Sequence, residues 1–143
     1  LYEFLYHLCR SYSHQIPSAS LTGSQRDLQR VTHVMNWVKV HYPEPLSLET
    51  AADSLALSKE YFCRLFKKYT GQTFLEYLND VRTMHLYEDL QNSDETITVL
   101  MEKNGLSNYK IFMRTFKKLY GSTPQKMRSN RINSFETYCS YTH

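Results

Sequence analysis

Two segments of this 143-residue chain carry the same cations at the same spacing. Phe62-Cys63-Arg64-Leu65-Phe66-Lys67-Lys68-Tyr69-Thr70-Gly71-Gln72-Thr73 is answered by Phe112-Met113-Arg114-Thr115-Phe116-Lys117-Lys118-Leu119-Tyr120-Gly121-Ser122-Thr123, and the offset from Phe62 to Phe112 is 50 residues. Phe, Arg, Phe, Lys, Lys, Gly and Thr recur in register. An arginine can offer paired donors to the edge of a guanine, and a lysine brings a point charge to a phosphate. No competing chemistry stands beside them. The six histidines, His7, His14, His33, His41, His85 and His143, show neither HxxxH nor HExxH spacing, so no metal site is expected. A glycine-rich phosphate loop, a GxSxG elbow and a Cys/His nucleophile context are all lacking. The expectation is a protein that is not an enzyme and takes no cofactor.

The elements that hold these cations follow from hydrophobic spacing. Phe62, Leu65, Phe66 and Tyr69 recur at i, i+3, i+4, i+7, as do Phe112, Thr115, Phe116 and Leu119, so each set lies on one buried helix face. Geometry then fixes the opposite face: Lys59, Glu60, Cys63, Arg64 and Lys67 in the first copy, and Tyr109, Lys110, Met113, Arg114 and Lys117 in the second. Cys63 is read there as a small side chain, not a reactive thiol. A short helix precedes each copy, over 46–56 and 97–104. A tight turn joins the pair, at Ala56-Leu57-Ser58 and Gly105-Leu106-Ser107. Short helix, turn and amphipathic helix is the helix-turn-helix outline.

Glycine and proline are scarce, four of each, and the rest of the chain also reads as helices with short breaks, hence all-α. Leu1, Leu5, Leu8 and Tyr12 predict an N-terminal helix over 1–16, followed by a polar linker ending at Gly23. Ser24 with Asp27 is expected to cap the next helix, whose stripe is Leu28, Val31, Val34, Met35 and Val38. Thr73 and Glu76 form a capping box for a long helix reaching about Asn92. Ser58 and Ser107 are expected to open the two amphipathic helices, and Thr123-Pro124 a last short one. Fraying is expected after Arg128. The reading divides the chain into an N-terminal helix and linker (1–23), a tandem helix-turn-helix domain (24–129) and a tail (130–143). The start at Leu rather than Met points to a piece of a longer protein.

Charge separates with the faces. Between Gly105 and Arg131 there are seven Lys or Arg residues and no acid. The stretches leading into the repeats are acidic, with Glu44, Glu49 and Asp53 before one, and Glu88, Asp89, Asp94, Glu95 and Glu102 before the other. A basic face concentrated on two matched helices is the footprint of a duplex-DNA reader. The competing reading is a helical interaction module that docks an acidic protein without reading bases. Cys9, Cys63 and Cys139 are odd in number and scattered, which favours a reducing, cytoplasmic setting over a disulfide framework. The apolar start is too short and too interrupted for a membrane span.

At these residues the sequence resembles the AraC/XylS family of bacterial transcription regulators, over roughly 28–129. Leu57-Ser58 through Phe66-Lys67-Lys68-Tyr69-Thr70-Gly71, then Tyr77 and Arg82, then Gly105-Leu106-Ser107 through Gly121-Ser122-Thr123-Pro124 and Arg128 carry the resemblance. It implies two helix-turn-helix subdomains joined by a central helix, with two recognition helices in successive major-groove segments. Lys59, Glu60, Cys63 and Arg64, then Asn108, Tyr109, Lys110, Met113 and Arg114, are the implied base-reading positions, with Arg64 and Arg114 foremost. Lys67 and Lys117 are assigned to phosphates, as are the helix starts at Ser58, Thr73, Ser107 and Thr123. The resemblance further implies a promoter or operator as ligand, RNA polymerase as partner, an activating role, and a nucleoid-associated protein. Residues 1–16 resemble the last helix of an upstream sensory domain through which such chains can form homodimers. The sequence departs from the family pattern at Leu86, Asp89, Met101, Asn104, Ile111 and Met127.

Overall fold

A hydroxyl or amide side chain stands one residue ahead of each helix and accepts from the backbone N–H three residues on. The caps are Thr22, Ser47, Ser58, Thr73, Thr96 and Asn108. Such a cap is worth about 1 kcal/mol relative to alanine. The computed structural model describes residues 22–131. Its helices are α1 (Gly23–His41), α2 (Leu48–Ser54), α3 (Lys59–Thr70), α4 (Phe74–Asn92), α5 (Ile97–Lys103) and α6 (Tyr109–Tyr120), and a last helix, α7, covers 124–131. No strand occurs among the described residues. The architecture is all-α, two helix-turn-helix units (α2–α3 and α5–α6) on one long helix, α4.

Three local expectations shift. The cap of α1 is Thr22, not Ser24, because Gln25 reaches back to the Thr22 N–H at 2.8 Å and closes a capping box. Asp27 is used elsewhere, pairing with Arg30 at 3.3 Å and accepting from the Tyr61 hydroxyl. The cap of α6 is Asn108, not Ser107, since the second turn holds one residue more than the first. Finally, α7 does not fray at Arg128. Arg131 fastens it by donating to the Gln91 carbonyl at 2.6 Å and to Asp94. The expected helix over 1–16 lies outside the described residues, as do Cys9, Cys139, His7, His14, His143 and the chain beyond 131.

Two cores form, and α4 serves both. Phe74, Leu78 and Val81 join Val31, Val34, Val38, Ala51, Ala52, Phe62, Leu65 and Phe66 in the first. Leu86 and Leu90 join Leu100, Met101, Leu106, Phe112 and Phe116 in the second. Phe66 and Phe74 meet edge to face with centroids 5.9 Å apart, a geometry that adds to their burial. Truncating either to alanine would cost about 3–5 kcal/mol. Four positions that depart from the family pattern pack here. Leu86 and Met101 fill the second core. Asn104, buried, donates to Asp89 at 2.8 Å and to the Leu100 carbonyl at 2.8 Å, so two departures satisfy each other.

The units also touch directly. Arg82, midway along α4, donates through Nε to the Tyr42 carbonyl (2.6 Å) and through Nη2 to the Glu44 carbonyl (2.7 Å). Burial lowers its pKa, but a guanidinium remains charged. The Tyr42 ring stacks on His85 at 4.0 Å. Gly105, in the second turn, takes a left-handed φ of 73°. A Cβ there would lie 2.7 Å from the Pro43 carbonyl oxygen and 3.1 Å from Arg82 Nε. The turn after α1 and the turn of the second unit are therefore in backbone contact, clamped by Arg82.

Candidate nucleic-acid interface

Burial of Phe62, Leu65 and Phe66 leaves the other side of α3 to solvent, and Lys59, Glu60, Cys63, Arg64 and Lys67 are all exposed. Burial of Phe112, Thr115 and Phe116 does the same for α6. Tyr109, Lys110, Arg114 and Lys117 are exposed there, with Tyr109 at 53%. Met113 departs from the expected pattern. It is half-buried and packs against the second core, while Cys63 at the same register is exposed. Ser58, Thr73, Ser107, Asn108 and Thr123 are exposed at or beside helix starts. Gly71 and Gly121, left-handed at φ 77° and 69°, end α3 and α6 and turn the chain into the next helix start.

The two faces differ electrostatically. Lys59 is drawn to Glu49 across the first turn, Nζ to Oε1 2.7 Å. That hydrogen bond raises the lysine pKa and lowers the glutamate's. At the start of α4, Glu76 accepts from the Thr73 N–H at 2.8 Å and from its hydroxyl at 3.0 Å. These bonds hold its carboxyl below the usual range, with Lys118 and Lys67 close enough to contribute. A carboxylate thus occupies the place assigned to phosphate at Thr73. Fifty residues on, Thr123 is followed at the same register by Lys126. From 58 to 76 the chain carries four cations and two anions; from 108 to 126 it carries five cations and no anion.

One paired lysine leaves the face altogether. Lys118 donates to Asp80 Oδ1 of α4 at 2.7 Å, and the Asp80 side chain is only 4% exposed. Its counterpart Lys68 lies over the Tyr69 ring, 5.3 Å from the centroid. Sequence reading missed both Asp80, the buried acid of α4, and Lys126, which the repeat offset would have placed opposite Glu76. Among the described residues no group of His, Cys, Asp and Glu side chains could hold a metal, and no helix is long and apolar enough to cross a membrane.

Comparison with known proteins bears on the same stretch. The helix-turn-helix domain family matches residues 51–130. An uncharacterised HTH-type transcriptional regulator of Staphylococcus aureus is 32% identical over 114 residues, covering 80% of this chain and 15% of its own length. The HTH-type transcriptional activator RhaS of Escherichia fergusonii is 30% identical over 116 residues, covering 81% of this chain and 42% of its own. The chain therefore spans less than half of these relatives. Among solved structures, the DNA-binding domain of the global transcriptional factor AdpA in complex with a target DNA superposes with a TM-score of 0.64. It shares 25% identity, over 71% of this chain and 91% of that one.

Proposed function

The chain belongs to the AraC/XylS family of DNA-binding helix-turn-helix transcription regulators, and we propose that it reads one specific duplex site by placing α3 and α6 in successive major-groove segments. The observation that carries this is the pair of exposed cationic faces on matched helices, held by a shared α4 and by the Arg82 clamp. At 19 residues, α4 is about 28 Å long at ~1.5 Å per residue. One duplex turn is about 34 Å, so a single chain reaches two segments on one side of the DNA.

Arg64 and Arg114 bond guanine edges, because their side chains are the exposed donors at the middle of each face. Lys59, Glu60, Cys63, Asn108, Tyr109, Lys110 and Met113 complete the base-facing set. Lys67 and Lys117 meet phosphates, as do the helix starts at Ser58, Ser107 and Thr123; Thr73 does so only in competition with Glu76. The regulator activates a promoter in contact with RNA polymerase, a role supported by the activator name of RhaS. Homodimerisation would run through a domain upstream of the helix-turn-helix units, as the family resemblance implies.

A gel-shift titration of the 143-residue chain against random duplex, repeated at rising salt, tests the basis of this reading. A duplex reader loses affinity steeply with salt; absence of duplex binding would favour the acidic-protein module instead. Selection from a random duplex pool should then return an asymmetric site of two short blocks about 10–11 bp apart. A single block, or a perfect palindrome bound by one chain, would overturn the two-segment arrangement.

A further inference from the structure

The outward face of α3 carries a carboxylate where α6 carries an ammonium: Glu60 stands at the register of Lys110. Glu60 is exposed, and none of the hydrogen bonds or ion pairs among the described residues engages it. Its neighbour Lys59 is pulled aside to Glu49. Cys63 and Arg64, three and four residues on, share its helical face and are exposed with it.

On a face that meets DNA, a carboxylate is repelled by every phosphate and can rest only against a donor. The major groove offers two amino groups, cytosine N4 and adenine N6. Adenine N6 lies beside the N7 acceptor, whose lone pair faces the second carboxylate oxygen; a carboxamide suits that edge better. Cytosine presents its amino group with no acceptor of its own beside it, and glutamate is its matching side chain. Resting on the duplex reading proposed above, we infer that Glu60 is a specificity-determining residue that selects a cytosine in the block met by α3, accepting from the N4 amino group. The two recognition helices then divide the work: α6 supplies charge, and α3 trades part of its charge for discrimination.

The test is parallel selection from a random duplex pool with the wild-type chain, Glu60→Gln and Glu60→Ala. The wild type should enrich one cytosine in one of the two blocks. Glu60→Gln should move that position to adenine, and Glu60→Ala should flatten it. The other block should be unchanged throughout, which also reports that the variants are folded. Against a duplex with that cytosine replaced by thymine, the wild type should bind about 5- to 150-fold more weakly, and Glu60→Ala almost equally well. Glu60 also sits in the first turn of α3, where a carboxylate favours the helix start; a purely structural role would shift the melting temperature and leave base preference alone. A site selected identically by wild type and Glu60→Gln overturns this assignment while sparing the duplex reading. A wild-type chain that selects no site overturns both.

Discussion

Ala56-Leu57-Ser58 and Gly105-Leu106-Ser107 are one turn built twice, and their first residues are both left-handed, at φ 53° and 73°. In each the following leucine N–H donates back into the short helix, Leu57 to Ala52 at 3.0 Å and Leu106 to Met101 at 2.9 Å. The first turn tolerates alanine because it faces solvent. The second cannot, because the carbonyl oxygen of Pro43 from the first unit occupies the space of a Cβ. The glycine is thus demanded by a neighbour more than by its own backbone angle. Lys68 and Lys118, each the second lysine of a Phe-Lys-Lys run, diverge as well, and the residue that follows is Tyr69 in one and Leu119 in the other. One lies over a tyrosine ring at the surface, and the other is spent on a buried carboxylate of the shared helix. A repeat preserves local structure, while the second copy also bears the contacts that join the units.

This contrast can be broken at several points. Gly105→Ala should cost about 3 kcal/mol or more, from a backbone clash added to left-handed strain, whereas Ala56→Gly should change stability by less than about 1 kcal/mol. Denaturant melts of both variants decide; equal effects would mean that Gly105 is required by φ alone. Lys118→Met should destabilise by about 2 kcal/mol, below the 3–5 expected for a fully buried pair because the lysine is half exposed. Lys68→Met should stay within about 0.5 kcal/mol. Arg114→Ala should lose about 1–3 kcal/mol at one base of its block and relax selectivity there, while Lys117→Ala weakens binding to all duplexes and reduces the salt slope by about 1. Unchanged affinity for a selected site after Arg114→Ala would remove that arginine from the interface.

The last effect is a pH slope confined to the second unit and to alkaline solution. Burial, with Tyr87, Glu88 and Asp80 nearby, pushes the Tyr120 phenol up from 10.0 to about 12. The folded chain then keeps a proton that the unfolded chain releases. This contribution is complete below pH 10 and is lost as pH rises from 10 toward 12. Tyr120→Phe should flatten that part of the stability–pH curve relative to wild type, as read by thermal melts.

Much of this is legible in the sequence alone. Phe62, Leu65 and Phe66 fixed one face of α3 and so exposed the other, because a 3.6-residue period leaves no choice. The bounds of α4 followed from Thr73, Glu76 and the polar stop after Asn92. What stayed hidden was long-range. Asp80 and Lys118 are 38 residues apart, Arg82 and Tyr42 are 40 apart, and no local pattern links them. α4 itself shows no single apolar stripe, because its two ends turn different sides to different cores. The caps at Thr22 and Asn108 lie one or two positions from Ser24 and Ser107, which are equally good capping residues; local contacts decide, the Thr22–Gln25 capping box in one case and the Asn108 bond to the Ile111 N–H in the other.

The clamp at Arg82 sits near the middle of α4, so under the proposed two-segment reading it would be the pivot of a caliper whose jaws are α3 and α6. From Arg82 it is about 12 Å to the start of α4 and about 15 Å to its end, at ~1.5 Å per residue. A tilt of roughly 15° about that pivot would sweep an end through about 3.5 Å, one base-pair step along the duplex axis. A wedge at Gly105 that left both jaws intact would therefore alter the gap they measure, and spacing between blocks, not the letters within them, would be the first thing to drift.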